Sequence, residues 1–103
     1  MATTHLPTHA MGFATVTTAG TPVRLHSTSI RVRRVVIYAQ KANSGQIIVG
    51  GSSDFNAGAG VGSGLDSGES ITLETEKNFL DLYDVWLDTT SNGDKADFYA
   101  QKV

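Results

Sequence analysis

Three histidines, ten acidic residues and a crowd of glycines are where this 103-residue chain could carry chemistry. His5 and His9 are four apart, a spacing that on a helix would aim two imidazoles at one metal ion. Pro7 lies between them and no third ligand stands nearby, so the segment reads instead as an extended arm. His26 is flanked by Ser27 and Ser29, yet adjacent positions on a strand point to opposite faces, which does not build a nucleophile–base pair. The nucleophile-elbow pattern G-x-S-x-G is absent; "GVGSGLD" offers only Gly62-Ser63-Gly64. Asp81, Asp84 and Asp88 could supply a carboxyl pair for glycoside chemistry. Acids on the exposed side of an edge strand explain them more cheaply. Without cysteine there is neither thiol catalysis nor a thiolate metal site. The chain is therefore read as a non-enzyme without cofactor or metal.

Seven of the eleven glycines fall within "IIVGGSSDFNAGAGVGSGLDSGESITL", residues 47–73. A phosphate-binding P-loop needs a lysine after its glycines, and no lysine occurs between Lys41 and Lys77. A dinucleotide fingerprint fails in both registers, because Ser63 and Leu65 stand where the third glycine belongs. A calcium-binding repeat needs several copies of its motif, and "GSGLD" occurs once. What remains is a mobile loop from about Ser52 to Gly64, either inserted into a neighbouring subunit with Phe55 as anchor or left as a solvated tip.

These residues must be positioned by strands. "RRVVIYAQK" alternates, with Val35, Ile37 and Ala39 on one face and Val36, Tyr38 and Gln40 on the other. Ile30 and Val32 have the opposite parity, which predicts a bulge near Arg33. "KANSGQ" reads as a hairpin turn with Gly45 at positive φ, returning "QIIVGG" as the partner strand with Ile47 and Val49 inward. "FATVTTAGTPVRLHS" gives two short extended pieces around a Gly20-Thr21-Pro22 turn. "ESITLET" places Ile71 and Leu73 together, and "KADFYAQKV" groups Ala96, Phe98 and Ala100. "FLDLYDVWLDTT" fits a helical template through Phe79, Leu82, Tyr83 and Trp86. Its aromatic and β-branched content and the Ser91–Asp94 turn favour an irregular approach to a strand with Val85 and Leu87 inward. Six to eight short strands without a secure helix predict one all-β domain, a small antiparallel β-sandwich or jelly roll over residues 12–103, preceded by an extended arm over 1–11.

Charged residues are 17% of the chain, below the roughly 25% of an ordinary soluble domain, so part of the surface is expected to be covered by neighbours. All acids lie at or after Asp54, whereas Arg24, Arg31, Arg33, Arg34 and Lys41 make the first half basic. Interleaving of strands could erase that asymmetry. The net charge of −2 argues against nucleic acid as the main partner. Arg31, Arg33 and Arg34 are either a solvated strand end or a contact for acidic groups, which an arginine fork binds bidentately. No apolar run approaches the roughly 20 residues of a membrane span, and the first residues lack a signal-peptide pattern, so use without secretion is expected.

"VVIYAQKANSGQIIVGGS", "LDSGESITLE" and "LYDVWLDTTSNGD" together resemble a group of small β-sandwich proteins from tailed-bacteriophage virions. In these a V-x-I-x-A strand, an I-x-V-G-G-S strand, an L-x-x-G-E-S-[IV]-T-L segment and a late aromatic strand follow in this order. The resemblance spans roughly residues 12 to 100 and implies a capsid decoration (cement) protein on the virion head. Such a protein would be made in the host cytoplasm, bind the major capsid protein and form a homo-oligomer, commonly a trimer. The expected contact residues are His5, Leu6, Pro7 and Met11 of the arm, Phe13 just after it, Phe55, and the three arginines. The alternative is a tail, head-fibre or connector module that binds carbohydrate or a receptor through outward Tyr38, Trp86 and Tyr99.

Overall fold

The computed structural model describes residues 9–51, 63–75 and 79–103. Its strands are β1 (His9–Val16), β2 (Val23–Arg24), β3 (Arg31–Ala39), β4 (Ile47–Gly50), β5 (Ser63–Leu65), β6 (Ser70–Glu74), β7 (Leu80–Asp81), β8 (Trp86–Thr89) and β9 (Asp94–Lys102). They form two antiparallel sheets. One runs β1-β9-β3-β6, with β7 also on β3; the other runs β2-β8-β4-β5. The molecule is a small β-sandwich, the all-β class the alternation predicts.

The core lies between the sheets. Val35, Ile37 and Ala39 of β3, and Ala96, Phe98 and Ala100 of β9, face Ile47 and Val49 of β4 and Leu87 of β8, all buried. Period-two patterning sets which side chains enter, because successive residues of a strand point to opposite faces. The bulge also lies where parity puts it: Val32 pairs with Lys102 and Arg34 with Gln101, leaving Arg33 as the extra residue. The helical template over Phe79–Trp86 is realised only as one 3-10 turn, Leu82–Asp84, before β8.

Three expectations are corrected. β3 and β4 are not a hairpin; "KANSGQ" carries the chain from one sheet to the other, where β4 pairs with β5 and β8. Gly45 does not have positive φ, which is confined to Gly20, Gly68 and Gly93 among the described glycines. Close packing is what requires glycine there, since a Cβ would sit 2.2 Å from Thr90 Oγ1 and 2.8 Å from Ser91 Oγ. The arm expected over 1–11 does not include its last three residues, because His9, Ala10 and Met11 pair with Gln101, Ala100 and Tyr99; residues 1–8 lie outside the described residues. His5, Leu6 and Pro7 lie outside the described residues, as does Phe55, and the glycine-rich segment meets β5 at Ser63.

One end of the sandwich is tied by two buried acids. Asp94 accepts hydrogen bonds from the Ser44 amide at 2.9 Å, the Gly45 amide at 2.9 Å and the Thr89 hydroxyl at 2.8 Å. Asp88 accepts from the Gly20 and Thr89 amides, each at 2.8 Å. Asn43 pairs with the Lys95 backbone in both directions, at 2.8 and 2.9 Å. Removing the Asp94 carboxyl takes the acceptor from three donors, of which the Thr89 hydroxyl is fully buried, so Asp94→Ala is expected to cost about 2 kcal/mol. Gly45→Ala is expected to cost about 2 kcal/mol through overpacking. Urea unfolding of each variant against the parent chain measures both.

Candidate contact surface

Among the described residues, the histidines, serines and acids singled out in the sequence lie apart, Ser29 and Asp81 excepted. Ser29 donates its hydroxyl hydrogen bond to Asp81, while His26 Nδ1 engages Thr28 and its ring meets Phe98 edge-on at 5.9 Å. Ser29 is thus directed at an acid and not at the imidazole. His9 is in a strand, its ring 5.1 Å from that of Tyr99, so it does not share a helical face with His5. The expectation that Asp88 is an exposed acid on an edge strand is overturned: β8 lies between β2 and β4, and Asp88 is completely buried. It points to the outer side of its sheet, but the turn through Gly20 covers it and supplies a donor. Asp84 is exposed in the 3-10 turn. Among the described residues no three His, Asp or Glu side chains converge as a metal site.

What does assemble is the outer face of the β1-β9-β3-β6 sheet. In register, Met11 lies opposite Tyr99 and Tyr99 opposite Val36; in the next row Phe13 lies opposite Asp97 and Asp97 opposite Tyr38. Neighbouring strands are about 4.8 Å apart, so each row brings three side chains within mutual reach. Met11 and Phe13 are 72% and 62% exposed, Tyr38 and Tyr99 44% and 43%. Polar groups enter the strip as well: Asp97, in the middle of the second row, accepts from Gln40 at 2.6 Å, and Lys95 Nζ sits 5.6 Å from the Phe13 ring centre.

The bulge extends the face. Val32 and Val35 are both buried, so the extra residue at Arg33 leaves Arg31, Arg33 and Arg34 all exposed. Opposite charges lie beside two of them: Arg34 pairs in register with Glu74 and Arg31 with Asp81. Arg31 also stacks 4.6 Å from the Phe79 ring. Folding therefore interleaves the basic and acidic halves of the chain.

Trp86 is on the other sheet from Tyr38 and Tyr99. The Arg24 guanidinium covers it at 4.4 Å and Tyr83 at 3.6 Å, a stacked arrangement that leaves less of the indole face open. Sequence reasoning named Met11, Phe13, Tyr38 and Tyr99 separately and for different roles, and did not name Lys95, Asp97 and His9 beside them on the same sheet face. The only signal for them is their outward parity on strands flanking the named residues.

Two grooves open between the sheets, one on each side. One, of about 500 Å³, runs between β1 and Val23–Ser27 over Phe98 and Leu25. The other, of about 460 Å³, is lined by Val49, Ile71, Leu73, Phe79 and Leu80, with Asp81 and Asp84 at its rim.

No protein-family model matches the chain, and no curated protein is similar to it at a significant level.

Asp81 titrates below its ordinary value, chiefly because the Ser29 hydroxyl donates to it. Amides of Tyr83 and Ile30 and the charge of Arg31 act in the same direction, against partial desolvation. A carboxyl whose pKa is depressed by folding stabilises the fold above its unfolded pKa, and that contribution is lost as pH falls through the folded value. Asp81 also caps the 3-10 turn through the Tyr83 amide at 2.9 Å. Asp81→Ala is therefore expected to cost about 1 kcal/mol at neutral pH. The gap to the parent should narrow below about pH 4, as urea unfolding at stepped pH will show.

Proposed function

We propose that the chain is a structural component of a bacteriophage virion: a capsid decoration protein that bridges major capsid protein subunits on the head and stabilises them. The observation that carries this reading is the concentration of Met11, Phe13, Tyr38, Tyr99 and three arginines on one sheet face. That face belongs to a chain whose strand segments resemble those of phage virion sandwiches. Exposed aromatic side chains and Met11 beside arginines have the make-up of a protein–protein contact, where aromatic residues, Met and Arg are enriched. Arginine forks suit the carboxylates of an acidic shell surface. Many copies on a lattice act together, so each contact can be modest and still hold the shell closed. Binding only the assembled state stabilises it by mass action.

Tyr38 and Tyr99 on one face also favour a second reading, a carbohydrate- or receptor-binding module of the tail or a head fibre. Under it, Tyr38→Ala and Tyr99→Ala would each abolish binding on a glycan array while leaving shell occupancy unchanged.

The test is to add the purified chain to heads that lack it and to measure bound copies by co-sedimentation and electron cryomicroscopy. Saturable occupancy on the head lattice is expected. Arg33→Glu combined with Arg34→Glu should weaken it at least tenfold, equivalent to about 1.4 kcal/mol. Removing residues 1–8 leaves every β1–β9 pair in place and should weaken it similarly if the leader crosses a neighbour. No binding to heads, or binding indifferent to both changes, would overturn the proposal.

A further inference from the structure

A sandwich of two open sheets has four edges, and here they are unequal. β2, β5 and β6 are two, three and five residues long, and β6 ends in Glu74. Short length and charge are the devices by which proteins keep an edge from pairing with another chain. β1 has neither. Its eight residues, HAMGFATV, contain no Lys, Arg, Asp, Glu or Pro, and its register with β9 runs without a bulge from His9 to Val16. No described strand pairs with its outer edge. In an antiparallel pair, alternate residues turn their N–H and C=O groups away from the partner, so β1 offers a row of such groups along its free side.

We infer that β1 pairs antiparallel with β1 of a second copy of this chain, joining the two β1-β9-β3-β6 sheets into one. The sequence of the strand is complementary to itself. Pairing about a two-fold axis at Gly12 sets Met11 opposite the partner's Phe13 and Phe13 opposite the partner's Met11 on the outer face. Ala10 and Ala14 face each other on the inner side. The two most exposed large apolar side chains of the strand thereby cover one another. Glycine on the axis suits close approach of two backbones. A one-residue slip would oppose outward to inward side chains, so the pattern sets the parity, and of the registers that keep it only the Gly12 axis sets Met11 against Phe13 twice. The result is an isologous dimer and not the three-fold assembly that the resemblance implies. The inference rests on the sheet edge and not on the virion reading; if both hold, pairing doubles the contact face.

The test uses the full chain in solution, with no capsid. Light scattering is expected to give twice the 10.9 kDa chain mass, falling to the single mass on dilution. Phe13→Lys should shift dissociation to at least tenfold higher concentration while circular dichroism keeps the parent β spectrum. The chain has no cysteine, so introduced ones report register. Met11→Cys mixed with Phe13→Cys should oxidise to a crossed disulfide dimer, with far less product from either alone. A monomer at every concentration, a trimer, a dimer indifferent to Phe13→Lys, or equal cross-linking of mixed and single variants would each overturn the inference.

Discussion

Everything in the sandwich depends on the two buried acids at the end where the chain crosses between sheets. Crossing turns cannot complete a sheet ladder, so their amides need other acceptors, and an unpaired buried donor is costly. Asp94 gathers the turn before β4 and the end of β8, while Asp88 gathers the turn before β2. Two further bonds lock the same end: the Gly93 amide donates to the Val16 carbonyl at 2.8 Å, and the Ala19 amide to Asn92 at 2.7 Å. Burying a carboxyl is unfavourable unless several donors meet it, and both sites supply them. The clamp sets the starting register of β1, β3 and β9 together. That register is what places Met11, Tyr99 and Val36 in one row, Met11 and Tyr99 being roughly 16 Å of chain from the clamp along strands that rise about 3.3 Å per residue.

Sequence patterning was informative wherever one face of a strand had to be buried. Val35, Ile37 and Ala39, or Ala96, Phe98 and Ala100, could be read directly, and the parity conflict between Val32 and Val35 located the bulge. Alternation says which way a side chain points and nothing about which strand lies beside it. That is why "KANSGQ" looked like a hairpin: its turn residues are genuine, but their amides are held by Asp94, about fifty positions away. The same long-range bonding hid Asp88, whose acidic type suggests solvent until the turn through Gly20 is laid over it. The members of the contact face were visible as exposed aromatics, Met11 and a basic cluster. Their convergence was not, because Met11 and Tyr99 become neighbours only through the β1–β9 register.

The bulge at Arg33 links the fold to the face it presents. With uninterrupted alternation, Arg34 would share the inner side with Val32, and an arginine would be driven into the core. One extra residue restores Val35 to the interior and turns all three arginines outward. Glu74 and Asp81 sit opposite two of them and Asp97 stands among the apolar side chains, so the face is of mixed charge and not a uniformly basic patch. Such a surface discriminates by matching groups to a partner and gains little from a polyanion's long-range attraction. This is the physical ground on which the proposed protein partner is preferred to nucleic acid.

Among the described residues no strand covers the outer edge of β1, and the core shapes that edge. Phe98 occupies the space beneath the strand so tightly that a Cβ at residue 12 would lie 3.0 Å from its ring. The inward positions of β1 before the core residue Val16 are accordingly Ala10, Gly12 and Ala14, small residues that seat the strand on β9 but do not fill the gap toward Val23–Ser27. Larger inward side chains would close that groove only by displacing Phe98, at the cost that overpacking a core carries. Core packing and edge exposure are thus one constraint: the strand that lies flat enough over Phe98 to complete the sheet is also flat, unbulged and uncharged on its free side. A chain that had to stay solitary would carry a charge at position 11 or 13, where solvent would accommodate it without touching the core, and at both positions this chain has a large apolar side chain instead.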